Sequence, residues 1–287
     1  MSGRVAVITG AGSGIGRALA LDLARRGAHL ALSDIDTDGL AQTVNECEGV
    51  AFDGRGVKVT AQRLDVSDRD AIYEWADAVV AEHGHVNLLF NNAGVALVAD
   101  VATMSDEDLH WLVDINLWGV VNGCRAFLPH LQDSGEGHIV NVSSVFGLVS
   151  IPSQSAYNIA KFGVRGFSDA LRMELEIARS CVSVTTVHPG GVKTNIARRA
   201  RTDPSTPTLT KPGQDLGDAF DHIARTTPAG AAEQILRGVE LNRRRITVGP
   251  DGRMLDLVSR LPAGLYQRVL IAGGRLDRKR NARAARR

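Results

Sequence analysis

The chain is poor in features that define whole classes of protein. Three cysteines occur in 287 residues, and Cys47, Cys124 and Cys181 are widely spaced, with no Cys-x-x-Cys pair. That excludes a disulfide framework and a structural zinc site and predicts buried free thiols. No run of eighteen apolar residues appears, and the first hydrophobic stretch, Val5 to Ile8, is too short for the apolar segment of a signal peptide. A cytoplasmic protein is expected. The formal net charge is only +1, which gives no global field for nucleic acid. None of the eight histidines has metal-ligand spacing; the nearest approach, His83-Gly-His85, is expected at a helix end, so no metal is predicted.

What is present is alternation. Short β-branched runs at 5–8, 29–33, 57–64, 86–90, 138–142, 182–187 and 245–248 alternate with helical segments near 15–26, 36–47, 67–83, 105–131 and 155–179. Ser67, Ser105, Ser155 and Asp36 are the expected N-caps. This is the pattern of βαβ units. It predicts an α/β fold of Rossmann type, a doubly wound parallel sheet of about seven strands with helices on both faces. Residues 1–250 are read as one dinucleotide-binding and catalytic domain, with 195–228 a long substrate loop or lid and 251–287 an appended extension.

The first strand runs directly into Thr9-Gly-Ala-Gly-Ser-Gly-Ile-Gly16, which opens a helix. Gly10, Gly14 and Gly16, with Ser13 and Ile15 between them, form the expected cradle for a pyrophosphate at a helix N-terminus. Eighteen positions later the second strand ends at Asp34, whose carboxylate suits the adenosine ribose hydroxyls and repels a 2′-phosphate. Neither Ser13 nor Ile35 supplies an offsetting cation, so NAD is preferred to NADP; Arg17 is read as part of a solvated helix face. Tyr157 and Lys161, four residues apart, share one helix face. Ser144, thirteen residues before Tyr157, closes the apolar strand that begins at Ile139, and strand ends are where open α/β sheets bind ligands.

With these residues in hand, the sequence resembles the short-chain dehydrogenase/reductase family over roughly residues 4–195, through Thr9-Gly-x-x-x-Gly-x-Gly16, Leu64-Asp65-Val66, Asn91-Asn-Ala-Gly94, Asn116, Ser144, Tyr157-x-x-x-Lys161 and Pro189-Gly-x-Val-x-Thr194. The resemblance implies that Asp65 and Val66 hold the adenine and that Asn92, Ala93 and Gly94 line the cofactor cleft. It also implies that Pro189 and Gly190 lead into a loop whose Val192 and Thr194 contact the nicotinamide carboxamide. Asn116 would hold a water linking Lys161 to solvent, and helices around 105–131 and 155–179 would pack in a homodimer or homotetramer. The chemistry is consistent. Hydride leaves a carbinol carbon as its hydroxyl loses a proton, so a base and an oxygen-binding donor are needed. Tyr157 serves as the base if cations stabilise its phenolate, Lys161 also binds the nicotinamide ribose, and Ser144 holds the substrate oxygen.

The expected activity is therefore NAD-dependent oxidation of a secondary alcohol, or reduction of its ketone. The alternatives are an NADP-dependent carbonyl reductase and a non-catalytic dinucleotide sensor or membrane-recruited scaffold. Leu97, Phe146, Ile151 and Ile196, with Gln154, suggest an apolar substrate, while Arg198, Arg199 and Arg201 allow an anionic one; exposure is their simpler account. The extension carries ten basic and three acidic side chains, +7, leaving −6 on residues 1–250. Its apolar residues at 254, 258, 261, 265 and 269 have helical spacing, interrupted by Pro262. Packing against the pocket or a dimer interface is the favoured reading, and peripheral membrane contact the other.

Overall fold

The computed structural model describes residues 1–52, 55–203 and 216–284. Seven strands form one fully parallel sheet: β1 (Val5–Thr9), β2 (His29–Asp34), β3 (Val59–Arg63), β4 (Leu88–Asn91), β5 (Gly137–Val142), β6 (Val182–Pro189) and β7 (Arg245–Val248). Their spatial order is β7-β6-β5-β4-β1-β2-β3, so the chain winds outward from β1 in one direction and then, from β4, in the other. The reversal leaves a crevice between β1 and β4 at their carboxyl ends. Both faces are covered. Ala6, Ile8, Leu30, Leu32, Leu88 and Phe90 point to one face, under α1 (Gly14–Arg25), α2 (Thr37–Glu48) and α8 (Pro228–Glu240). The alternate residues Val7, Ala31, Leu89 and Ile139 point to the other, under α3 (Arg69–His83), α5 (Gly119–Asp133) and α6 (Ser155–Ile177).

The helix starts show which capping expectations hold. Asp36 accepts from Gly39 N at 3.1 Å and Ser105 from Asp108 N at 3.1 Å, as expected. At α3 the cap is Asp68 instead of Ser67, because Ser67 is turned back onto the Asp65 carboxylate. Ser155 is the first residue inside α6, after Gln154, and its hydroxyl caps nothing. His83 ends α3 at a left-handed Gly84, where it bonds Thr60 at 2.8 Å.

The long helix expected over 105–131 is divided. α4 (Asp106–Val113) passes into a π-helical turn at Asp114–Trp118 before α5 resumes. The wider turn resets the helical phase and carries Asn116 to full burial while leaving Trp118 exposed. Of the three thiols, Cys47 and Cys124 are buried, and burial pushes each up to about 12; Cys181 is exposed, against expectation, because it lies just ahead of β6 at the bottom of the sheet.

Of the loop at 195–228, residues 204–215 lie outside the described residues. The rest is docked: Arg201–Thr202 pairs in parallel with Leu97–Val98, α7 spans Leu216–Ile223, and Thr226 bridges to Val192. Beyond β7, α9 (Gly249–Val258) and α10 (Ala263–Ala284) flank Pro262, so α9 spans the junction expected at residue 250.

Candidate active site

The glycine turn sits at the crevice. Gly14 has φ +55°, which favours glycine, and a Cβ there would stand 3.0 Å from the Thr194 methyl. A Cβ on Gly16 would collide with the Gly10 carbonyl oxygen. Asn92 donates to the Thr9 and Gly10 carbonyls at 3.0 and 3.1 Å, and the Thr9 hydroxyl accepts from the Asn92 and Ala93 N–H groups. The turn after β1 is thereby tied to the segment after β4. A cavity of about 330 Å³ opens here, bordered by Ser13, Gly14, Arg17, Asp36, Asn195 and Arg199. This close backbone cradle at the start of α1 fits a dinucleotide pyrophosphate.

Asp34 lies at the end of β2, where its carboxylate accepts Gly12 N at 2.7 Å and Asp36 N at 2.9 Å. It therefore fixes the glycine turn to the end of β2. Val66 is buried against Gly119, and Asp65 caps its own turn through Ser67. Arg17 is not a solvated residue. Its guanidinium donates to Gly12 O, Gly39 O and Thr43 Oγ1, stitching the glycine turn to α2.

Ser144, Tyr157 and Lys161 converge at the carboxyl end of β5. Ser144 follows the strand and caps the single 3₁₀ turn 145–147, its hydroxyl accepting Phe146 N at 3.1 Å. The N-terminal turns of α6 present Tyr157 and Lys161 on one face, the Lys161 ammonium 5.5 Å from the Tyr157 ring centre. Lys161 is buried and donates to Val142 O at 3.0 Å. Burial pushes it down to about 8 and pushes the Tyr157 phenol up to about 12, opposed by a hydrogen bond with Ser144. Both groups are thus raised in energy when charged.

Gly94 completes the crevice wall; a Cβ there would be 3.0 Å from Asn116 Oδ1 and 3.6 Å from Lys161 Nζ. Asn116 spends its amide on Val95, accepting from its N–H and donating to its carbonyl, each at 2.8 Å. Beside Tyr157, Phe146 stands edge-on at 6.1 Å and Leu97 is fully packed in the same apolar cluster. The three loop arginines are each engaged: Arg198 with Asp218 and Asp221, Arg199 with Asp36 at 3.0 Å, and Arg201 with Asp108 while stacked 3.8 Å over Trp111.

Asp251 is a site residue that sequence reasoning passed over. Gly190 N donates to Val248 O, and Gly191 N donates to Asp251 Oδ2 at 2.5 Å. The loop Pro189–Thr194 is thus held by β7 and α9 on one side and by Thr226, which exchanges backbone bonds with Gly191 and Lys193, on the other. Behind Ser144, the buried His188 donates from Nδ1 to the Ser144 carbonyl at 2.8 Å. No spacing rule marks either residue; Asp251 in Gly-Pro-Asp-Gly reads as a turn.

The profile of the short chain dehydrogenase family matches residues 4–205. The putative oxidoreductase SadH of Mycobacterium tuberculosis is 49% identical over 272 residues, covering 94% of this chain and 95% of that one. A short-chain dehydrogenase/reductase from Burkholderia phymatum, solved in complex with NAD, is similar at TM-score 0.74 and 33% identity over 85% of this chain and 88% of that one. An alcohol dehydrogenase from Thermococcus sibiricus, complexed with 5-hydroxy-NADP, is similar at TM-score 0.63 and 29% identity over 77% and 90%. The seven-stranded doubly wound sheet, the glycine turn and the Ser-Tyr-Lys cluster agree with that match, and the chain belongs to the short-chain dehydrogenase family of oxidoreductases.

Proposed function

We propose that this chain oxidises an apolar secondary alcohol, or reduces the corresponding ketone, with NAD as the hydride partner. The observation that carries the reading is Ser144, Tyr157 and Lys161 at the crevice mouth, in line with the glycine turn and Asp34. Held by the glycine turn and Asp34, NAD would supply the hydride acceptor or donor. Tyr157 takes the hydroxyl proton of the alcohol, Ser144 donates a hydrogen bond to the same oxygen, and Lys161 supplies the positive charge that brings the phenolate into reach. Asn116 keeps the Val95 segment beside Lys161 in place, and, as the family resemblance implies, a water at this turn would pass the proton from Lys161 to solvent.

Support for NAD over NADP comes from charge. Asp34 stands at the end of β2, and of the cations around it Arg17 is engaged on backbone carbonyls and Arg199 on Asp36; the exposed Arg63, its register partner on β3, is the charge that opposes this preference. Phe146 and Leu97 beside Tyr157 support an apolar substrate. The exposure of Ile159, Phe162, Met173 and Ile177 on α6 and of Trp118 just ahead of α5 supports a homodimer or homotetramer packed through these helices. An intracellular setting belongs to the same reading. The test is initial rates of NADH and NADPH formation over a panel of secondary alcohols. The expected result is turnover with NAD at least about tenfold above NADP, lost by about two to four orders of magnitude in Tyr157→Phe. A preference for NADP overturns the role of Asp34, and wild-type turnover in the variant overturns the acid/base assignment.

A further inference from the structure

The C-terminal segment exposes apolar side chains that nothing among the described residues covers. Met254 and Leu257 on α9, Leu261 between the helices, and Leu265 and Val269 on α10 are 47–67% exposed. Met254 and Leu257 are three residues apart on α9 and Leu265 and Val269 four apart on α10, so each helix carries an exposed apolar pair on one face, with Leu261 between them, and none belongs to a core cluster. Exposed apolar side chains gathered in this way mark a contact surface. The packing expected of the tail holds for α9, which is fastened to the body through Asp251 on Gly191 N and Asp256 on Arg245, while α10 has one described side-chain tether, Tyr266 accepting a hydrogen bond at 3.4 Å from Ser150 N in the segment that follows Ser144 and Phe146.

Charge identifies what this surface meets. Exposed Arg253, Arg260, Arg268 and Arg275 accompany it. Of the two carboxylates on α9, Asp256 is neutralised by Arg245 and Arg260, and Asp251 accepts from Gly191 N on the body. Seven of the last thirteen residues are Arg or Lys, among them only Leu276 as a large apolar side chain. Such a density of cations, with Asp277 alone of opposite sign, suits a sheet of anionic headgroups, against which each cation adds independently. Apolar side chains reaching the acyl boundary with arginines beside them describe a helix lying in a membrane interface. No helix among the described residues is long and apolar enough to cross a membrane.

We propose that α9 and α10 dock this protein on an anionic lipid surface. The Tyr266–Ser150 tether puts that surface at the substrate end of the crevice, so an apolar alcohol reaches Tyr157 from the lipid and not through water. This goes beyond the proposed reaction and stands without it, since the readout is bound protein.

The experiment is cosedimentation of the full-length chain with vesicles of equimolar phosphatidylglycerol and phosphatidylcholine, against phosphatidylcholine alone. The expected result is at least about tenfold more protein pelleted with the anionic vesicles, falling steeply as salt rises from about 0.1 to 1 M. Leu257→Ser, Leu265→Ser and Val269→Ser combined, and separately Arg268→Gln, Arg275→Gln, Arg278→Gln, Lys279→Gln and Arg280→Gln combined, each lose most of that binding while keeping the wild-type Tm and their rate on a water-soluble alcohol. Equal pelleting with both lipids, or binding unchanged in either variant, overturns the proposal. So does a concentration-dependent dimer, abolished by the serine variant in the absence of lipid, in a chain that does not pellet; a second copy would then be the occupant.

Discussion

Lys161 shows how a functional residue opposes stability. A group whose folded value is lowered, here from 10.5 to about 8 by burial, is charged in both states below pH 8, and there the folded protein bears the whole cost of the buried ammonium. Between about 8 and 10.5 the folded state sheds the proton first and the cost fades. Lys161→Met removes it. At pH 7 this variant is expected to melt a few degrees higher than wild type while turnover falls by orders of magnitude. The gain in Tm shrinks as pH approaches 10.5. Melting curves at pH 7 and pH 10 check it, and a variant that melts lower at both values contradicts the account. Of the residues at this scale, Tyr157, Lys161, Ser144 and the glycines were legible because their spacing has mechanical meaning on a helix, at a strand end or in a tight turn. Arg17, Asp251 and His188 were not, because their partners lie 5 to 60 positions away in the chain.

At the scale of elements, two features change what a continuous helix or an appended tail would do. The π turn at Asp114–Trp118 carries Asn116 inward to clamp Val95, next to Gly94 and Lys161. Helical periodicity averages over a single added residue, so this turn is silent in the sequence. The start of α9 reaches back to the loop after β6 through Asp251. Without that acceptor Gly191 N is left unpaired in a tight loop, at about 1–3 kcal/mol. Asp251→Ala is therefore expected to raise KM for the dinucleotide about tenfold with a much smaller change in kcat. Asp251→Asn, which retains an acceptor oxygen, restores most of it. Steady-state kinetics with varied cofactor separate the two constants, and a loss confined to kcat refutes the positioning role.

At the scale of the whole molecule, two buried histidines tie stability to pH. His138 donates to the Thr185 hydroxyl, itself bonded to Arg243 O, and His188 donates to the Ser144 carbonyl. Burial pushes both rings down to about 4. They stay neutral in the folded protein, while in the unfolded chain they take up protons near pH 6.5, so the unfolded state binds more protons between those values. Stability is full above about pH 6.5 and falls toward pH 4, by about 3 kcal/mol for each ring. Urea unfolding midpoints across that range are expected to decline steadily; midpoints constant from pH 6.5 to 4 contradict the assignment. The charge division is also a whole-molecule property, with −6 on residues 1–250 and +7 on the extension hidden in a sum of +1.

The sequence by itself determined the doubly wound sheet, the glycine turn, the place of Asp34 and the Ser-Tyr-Lys set, because strand and helix periods, φ requirements and fixed spacings are local properties that each residue carries with it. Only the tertiary structure decided that Arg17 binds backbone instead of water, that Asp251 fastens the loop after β6, that Asn116 turns inward, and that the apolar side chains of the tail stay uncovered among the described residues. Those outcomes depend on which distant groups come within a few ångströms when the sheet closes. Burial then sets their worth: an unpaired N–H or a lone ammonium costs little in water and a great deal inside.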